Sequence, residues 1–196
     1  SRDEDKAVRS MYGDNMFMET TKGIVHINEV IELCIEAFQQ VMDEGPLARE
    51  KCTGVIVNLE DTKLHEDAIH RGPAQVIPAV RDAIKHAMLQ GKPILREPVQ
   101  TIRLDAPGEY LGEISKIVQA RRGQVLDVEY EGEAVVVKGK LPVAEMFGFT
   151  DTLRSGTEGR GFWALQDSAF EKTPPVLQNE TVKKIRQRKG LSDTQI

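Results

Sequence analysis

The sequence predicts an α+β protein of two domains, on three observations. Apolar residues recur at helical spacing in several segments, for example from Val30 to Met42. Between these segments, short runs alternate apolar and polar residues or are rich in Val and Ile, as strands are. The order of the elements also changes near residue 92, and a length of 196 residues is enough for two small domains.

The first predicted domain runs strand, helix, strand, long loop, helix. Its strands are expected at residues 15–20 and 52–59. Asn28 is expected to cap the first helix, which Gly45-Pro46 ends. The second helix is expected after the polar segment 60–74 and before Gly91 and Pro93, with Pro78 near its start, where a missing N–H costs least.

The second predicted domain contains four strands and two helices. Its strands are expected at residues 99–104, 124–130, 134–141 and 162–165, and its helices at residues 108–122 and 146–153. Gly123 ends the first helix, and Glu131-Gly132-Glu133 forms the turn of the central hairpin. Before that turn, Leu126, Val128 and Tyr130 are expected to face the core. The order is βαββαβ, the ferredoxin-like split βαβ arrangement.

The domain boundaries follow from this order. We place the second domain at residues 92–173, after which Pro174-Pro175 breaks the chain. Residues 180–189 are expected to form a short basic helix, whose charges face solvent rather than RNA.

Composition argues against some classes of function. The net charge of −5 argues against a surface that coats nucleic acid, but it leaves room for a local basic contact. No apolar run approaches the roughly 20 residues that span a bilayer, and residues 1–6 lack the apolar stretch of a signal peptide. Cys34 and Cys52 are interpreted as buried thiols. We therefore expect a cytoplasmic protein without membrane contact.

One predicted loop, residues 63–73, concentrates the side chains that could carry chemistry. It joins a strand to a helix and holds two His, two acidic residues and an Arg. One interpretation is a metal or hydrolytic site, because His and carboxylate groups are suitable zinc ligands. However, His65 and His70 lie five positions apart in a loop, not four apart on a helix, and no metal site is predicted.

Two other interpretations of this loop remain. Its His and Asp side chains could simply cap the following helix or face solvent. Alternatively, the loop contacts nucleic acid: it ends at a helix N-terminus, whose free N–H groups favour phosphate, and Arg71 adds a fixed charge. Two imidazoles can also stack on bases. The residues alone leave these interpretations open.

Nucleotide binding of the P-loop type is excluded, because the chain contains no Gly-x-x-x-x-Gly-Lys-Ser/Thr. The segment Gly156-Thr157-Glu158-Gly159-Arg160-Gly161 is rich in glycine but lacks the context of a dinucleotide fingerprint. We expect it to turn the chain from a helix to the last strand. No Ser/His/Asp or Cys/His set can be assembled, so no catalytic residue is predicted.

At the loop the sequence Leu64-His65-Glu66-Asp67-Ala68-Ile69-His70-Arg71-Gly72-Pro73-Ala74-Gln75 resembles the tip of domain IV in the elongation factor 2 family, in its archaeal form. Further stretches resemble the family in the same order along the chain: residues 44–48, 92–98, 121–124, 141–149 and 153–160.

The resemblance implies a domain organisation. Domain IV, of the ribosomal-protein-S5-domain-2-like βα type, would occupy residues 1–91 without its first strand. A C-terminal helix within residues 174–196 would complete it, and the ferredoxin-like domain V would occupy residues 92–173. The chain would be a monomeric piece of a translational GTPase. It would hold no cofactor and hydrolyse no GTP itself, because GTP and Mg bind to a domain that it lacks.

The resemblance also implies a function on the ribosome. The tip loop would contact tRNA and mRNA at the decoding site through His65, Asp67, Ile69, His70 and Arg71. Domain V would face rRNA, with Arg121, Arg122 and Arg154 as candidate contacts, although ordinary surface salt bridges are an equal alternative.

In the family, the histidine that matches His70 is converted to diphthamide. The implied partners are therefore the ribosome, the diphthamide biosynthesis enzymes and ADP-ribosylating toxins. A His/carboxylate metallohydrolase and a generic RNA-binding module are the alternative functions.

Overall fold

The computed structural model describes residues 7–192 of the chain. The chain divides into two compact units. Unit 1 contains the residues up to Pro93 and those from Val176 onward, and unit 2 is Ile94–Pro175. The boundaries placed from the sequence, after residues 91 and 173, lie close to this division.

Unit 1 is a small sheet with two long helices. Its elements in chain order are β1 (Val8–Tyr12), β2 (Asn15–Glu19), α1 (Ile27–Asp43), β3 (Ile56–Leu59) and α2 (Pro73–Gln90). The strand order is β1-β2-β3, in which β1 pairs antiparallel and β3 parallel with β2. The strand β1 is missing from the sequence-based assignment, because only alternate residues of its short run are half-buried.

The core of unit 1 lies between the sheet and its helices. Its buried members are Phe17, Val30, Cys34, Phe38, Val41, Met42 and Ile84. The Phe17 and Phe38 rings lie 5.6 Å apart between centroids. Cys34 and Cys52 are free thiols, but only Cys34 is buried as predicted, and Cys52 is half-buried. Burial raises the pKa of Cys34 to about 11. Its thiol therefore stays protonated at neutral pH.

Three local expectations for unit 1 are wrong. Asn28 is not the cap of α1: it lies in the first turn, and His26 holds the cap position with a left-handed φ of 68°. Pro73 starts α2 and Pro78 lies inside that helix. The predicted strand at residues 52–59 is shorter because the Cys52 N–H bonds to the Met42 carbonyl outside the sheet.

Unit 2 is a four-stranded antiparallel sheet with two helices packed against it. Its elements in chain order are β4 (Arg96–Pro107), α3 (Leu111–Ala120), β5 (Gln124–Glu131), β6 (Ala134–Pro142), α4 (Phe149–Gly156) and β7 (Phe162–Lys172). The strand order β5-β6-β4-β7 confirms the predicted ferredoxin-like arrangement.

The core of unit 2 is one cluster of apolar side chains from both helices and from the two central strands, β4 and β6. Its buried members are Ile102, Leu104, Ala106, Ile114, Ile117, Val118, Val135, Val137, Leu141, Phe149 and Leu153. The expected inward face of β5 is partly wrong, because Leu126 is 45% and Tyr130 is 64% exposed. A β-bulge between Val125 and Asp127 shifts the alternation, so that Val125 faces the core in place of Leu126.

The glycine-rich segment after α4 turns the chain into β7, as predicted. Gly159 adopts a left-handed φ of 78°, and the Gly161 N–H donates to the buried Thr157 hydroxyl. The strand β7 extends to Lys172, beyond the predicted end at residue 165. It lies at the edge of the sheet, where most of its side chains are exposed and apolar alternation is weak.

The last helix, α5 (Pro175–Arg188), belongs mainly to unit 1. The expectation that its basic residues all face solvent is wrong for Arg186, which is buried. Arg186 donates to the Leu47 carbonyl at 2.9 Å, and Lys189 donates to the Ala48 carbonyl at 3.1 Å. These bonds attach the C-terminal helix to the segment that follows α1. Within the described residues, no helix has the length and apolar character to cross a membrane.

Candidate functional site

The candidate loop lies between β3 and α2 in unit 1. Leu64 packs against the unit 1 core and begins the segment. The next six residues, His65 to His70, are all exposed. Arg71 is buried and closes the segment just before Pro73 starts α2. The loop is therefore a short exposed stretch held at both ends by buried side chains.

A single turn of 3₁₀ helix, Ala68–His70, shapes the exposed part of the loop. The Ile69 N–H donates to the Asp67 carboxylate at 3.1 Å, and the His70 N–H donates to the Asp67 carbonyl at the same distance. Asp and Asn commonly close such turns, because their side chains replace a backbone acceptor. Asp67 is thus engaged in the turn, and Ile69 is left 72% exposed at the tip.

The two histidines of the loop contact each other. Their ring centroids are 4.5 Å apart and the ring planes are inclined by 67°, an edge-to-face arrangement. His65 Nδ1 accepts the Asp67 N–H at 3.0 Å, which assigns the proton of the neutral His65 ring to Nε2. The His65 ring therefore takes part in the turn and also fixes one side of His70.

Arg71 is the internal anchor of the loop. Its side chain is 6% exposed. Its Nη1 donates to the His65 and Glu66 carbonyls at 2.7 and 2.6 Å, while its Nε and Nη2 donate to one carboxylate oxygen of Glu29 at 3.1 and 2.7 Å. The Arg71 guanidinium is therefore directed inward and already paired, so its fixed charge holds the loop rather than standing exposed on its surface.

Glu29, in the first turn of α1, completes this anchor. Its second carboxylate oxygen lies 2.5 Å from His26 Nδ1. Hydrogen bonds from Arg71, and then from His26, hold the pKa of Glu29 below its usual value. Neither Glu29 nor His26 is among the site residues predicted from the sequence. No local signal marks them, since Glu29 and Arg71 are 42 residues apart.

Two of the three candidate arginines of unit 2 are engaged inside that unit. Arg121 donates to the Glu145 and Phe147 carbonyls. Arg122 donates to both carboxylate oxygens of Glu97 and to Glu145, and its pKa is raised by these carboxylates. Both arginines thus follow the alternative in which they form ordinary salt bridges and hydrogen bonds.

Arg154 behaves differently from the other two arginines. It lies on α4 and is exposed. Across residues 7–192, no hydrogen bond or ion pair engages its side chain. Arg154 is therefore the one of the three candidate arginines that can give its charge to another molecule without breaking a contact.

The geometry of the loop does not support the interpretation as a metal site. In the part of the chain that the structure describes, no three His, Cys, Asp or Glu side chains come together in a way that could hold a metal ion. His65 uses Nδ1 within the turn and Asp67 uses its carboxylate there. The arrangement instead presents two adjacent imidazoles and an apolar side chain on a rigid turn.

Comparison with known proteins identifies both units. Residues 8–92 match the family model "Elongation factor G, domain IV", and residues 94–181 match "Elongation factor G C-terminus". The elongation factor 2 of Nanoarchaeum equitans is 52% identical over 97% of this chain, and that of Methanocaldococcus jannaschii is 48% identical over 96%. The chain spans 26% of the length of each of these two relatives. The chain therefore belongs to the elongation factor G and elongation factor 2 family, and its units are domain IV and the C-terminal domain, domain V.

Proposed function

We propose that this chain is the C-terminal part of a ribosomal translocase, in which the tip loop contacts tRNA and mRNA at the decoding site. We also propose that His70 is the substrate for diphthamide modification. The archaeal relatives are named elongation factor 2, which supports the translocase assignment. The observation that carries the proposal is the exposed segment from His65 to His70, held between the core-packed Leu64 and the buried Arg71.

The geometry of the tip suits contact with RNA. Ile69 is 72% exposed beside His70, and an apolar side chain next to an imidazole can pack against a nucleotide and donate a hydrogen bond. Because the turn is closed by Asp67 and His65, little conformational entropy remains to be lost on binding. In this proposal Ile69 and His70 make the contacts, while His65, Asp67 and Arg71 position them.

Modification would change the charge of the tip. In the first step a C–C bond forms between an imidazole carbon of His70 and the aminocarboxypropyl group of S-adenosylmethionine. The sulfonium C–S bond breaks and the imidazole C–H proton is released, so the overall transfer is redox-neutral. The finished residue carries a trimethylammonio group, whose positive charge attracts the RNA backbone. Exposure of His70 supports access for the biosynthesis enzymes and for ADP-ribosylating toxins.

Unit 2 would face rRNA in this proposal. Arg154 is its candidate contact, because its charge is exposed and unpaired within the described residues. Arg121 and Arg122 would stabilise unit 2 through their hydrogen bonds to other residues of that unit. GTP hydrolysis is assigned to another part of the factor, since this chain has no P-loop sequence. The whole factor would act in the cytoplasm.

A fragmentation mass spectrum of the tryptic peptide covering residues 64–71, taken from protein made in an archaeal host, tests the modification. We expect added mass on His70 and none on His65. His70→Ala should abolish the added mass, whereas His65→Ala leaves a site that can still be modified. Two unmodified histidines in the natural host would overturn this part of the proposal.

Binding to ribosomal complexes tests the contact with tRNA and mRNA. Ile69→Ala is expected to weaken binding of the whole factor to ribosomes that carry tRNA in the decoding site. Lys183→Ala, a change of an exposed residue on α5 outside the loop sequence, is the control. Binding that ignores every change in the loop would favour a generic RNA-binding module over a decoding-site contact.

A further inference from the structure

Glu29 links two segments that are distant in sequence. One oxygen of its carboxylate accepts two hydrogen bonds from Arg71, and the other contacts His26. Glu29 therefore joins the first turn of α1 to the exposed loop. None of the three residues lies within the six exposed positions from His65 to His70.

Burial makes this ion pair important for the loop. The Arg71 side chain is 6% exposed, and a buried guanidinium without a counter-charge is strongly unfavourable. Without Glu29, Arg71 would have to turn toward solvent and release the His65 and Glu66 carbonyls. The negative charge of Glu29 thus favours the buried position from which Arg71 binds those carbonyls.

The effect of Glu29 reaches His70 through His65. The His65 carbonyl is held by Arg71, its Nδ1 accepts the Asp67 N–H, and its ring contacts the ring of His70. A shift of the His65 backbone would therefore displace the ring that fixes one side of His70. We infer that Glu29 is a positioning residue for the modification of His70: through Arg71 and His65 it holds the imidazole in the orientation in which its carbon reacts.

This inference rests on the proposed modification of His70 but extends it to residues outside the loop. A positioning role predicts a defined kinetic effect. Glu29→Gln leaves the side chains of the exposed positions from His65 to His70 unchanged in identity, and we expect its main effect to be on the angle of the reacting imidazole. Misalignment of a reacting group lowers the rate of the chemical step more than it weakens the binding of the substrate.

Glu29→Gln is the main test variant, because it keeps the volume of the side chain and removes its charge. Glu32→Gln is the matched control: Glu32 is exposed, lies on the same helix and contacts nothing in the loop among the described residues. Arg71→Lys is a second variant that keeps a buried positive charge. A single ammonium on a shorter side chain cannot reproduce the four hydrogen bonds of the guanidinium.

The experiment measures transfer of the aminocarboxypropyl group to His70 by the purified modifying enzyme, with the whole factor as substrate. For Glu29→Gln we expect kcat to fall by about 10- to 100-fold while KM changes by less than about threefold. Arg71→Lys should lower kcat in the same way, and Glu29→Asp should restore part of it. Glu32→Gln should match the wild type. Nuclear Overhauser contacts between the His65 and His70 rings should be lost in Glu29→Gln.

The outcomes separate the inference from the proposed function. If wild-type His70 receives no group, the proposed modification fails. If the wild type is modified and Glu29→Gln keeps the wild-type kcat and KM, the inference is overturned and the modification stands. A uniform loss of folded protein in Glu29→Gln shifts the test to Arg71→Lys. A wild-type kcat for Arg71→Lys would then also overturn the inference.

Discussion

The imidazole rings of His65 and His70 meet edge to face, with 4.5 Å between their centroids. His65 also closes the turn by accepting the Asp67 N–H at its Nδ1. These two roles can be separated by substitution. The side-chain oxygen of Asn can replace Nδ1 as an acceptor, but Asn has no ring to contact His70.

We expect His65→Asn to keep the 3₁₀ turn and to change only the environment of the His70 ring. His65→Ala should lose both the turn and the ring contact. The imidazole proton shifts of His70 and the amide shift of Ile69, measured by NMR, check this. Both variants should move the His70 signal, but only His65→Ala should move the Ile69 amide. Identical spectra for the two variants would show that Nδ1 does not hold the turn.

Glu29 gives unit 1 a stability that depends on pH. Hydrogen bonds from Arg71 and His26 lower its pKa in the folded state below the usual 4.5. A carboxylate of this kind stabilises the fold fully above its unfolded-state pKa, and the contribution is lost as pH falls through the folded-state pKa. Glu29→Gln cannot titrate, so it should lack this contribution at every pH.

The melting temperature of unit 1 in the wild type should therefore exceed that of Glu29→Gln at pH values above the unfolded-state pKa of the carboxyl group. The difference should shrink as pH falls below 4.5 and vanish once Glu29 is protonated in the folded state. Thermal unfolding followed by circular dichroism at several pH values checks this. A difference that is as large at the acid end as at neutrality would mean that charge on Glu29 is not the cause.

Much of unit 2 could be predicted from sequence because its elements carry their own signals. The apolar face of α3, the turn at Gly132 and the break at Pro142 each mark an element locally. Which side chains of β5 face the core could not be predicted, since the bulge after Val125 depends on pairing with β6. The same holds for β1, in which the alternating inner positions are only half-buried and include Ser10, so the apolar alternation of its sequence is weak.

The candidate site divides in the same way. The exposed loop and the two histidines are visible in sequence as a polar segment between a strand and a helix. The role of Arg71 is not, because its partner Glu29 lies on another helix and only the tertiary fold brings the two together. The different environments of Arg122 and Arg154 are likewise set by tertiary contacts. Glu97 lies beside Arg122 but does not contact Arg154.

This difference between Arg122 and Arg154 predicts opposite effects of two alanine substitutions. Arg122→Ala should lower the free energy of unfolding of unit 2 by about 1–3 kcal/mol, because it leaves the half-buried Glu97 without its partner. Arg154→Ala should change that free energy by less than about 0.5 kcal/mol. Urea unfolding followed by the fluorescence of Trp163, the single tryptophan, measures both.

Binding to large-subunit rRNA should show the reverse order. Arg154→Ala should weaken binding and reduce the salt dependence by about one counterion. Arg122→Ala, measured at a temperature where it stays folded, should bind as the wild type does. Equal binding of Arg154→Ala and the wild type would remove Arg154 from the proposed contact.

Two glycines, Gly112 in α3 and Gly123 just after it, allow a comparison of how tightly unit 2 is packed at the two positions. Gly123 follows the helix, where Arg122 already takes the left-handed conformation with φ of 56°. What Gly123 provides is space, because a Cβ there would lie 2.7 Å from the Val118 carbonyl oxygen and 2.8 Å from Leu141 Cγ. Gly112 lies inside the helix, and a Cβ there would meet nothing within 4 Å.

Gly123→Ala should therefore destabilise unit 2 by about 1–3 kcal/mol, since the two buried neighbours have little room to move. Gly112→Ala should stabilise it by about 0.5–1 kcal/mol, because Ala restricts the unfolded chain and favours helix. Trp163 reports on both, since its ring packs on the core residue Phe149 with 5.8 Å between centroids. A Gly123→Ala protein as stable as the wild type would show that the chain after α3 can shift away from Leu141. The close approach of α3 to β6 would then not be what requires glycine at this position.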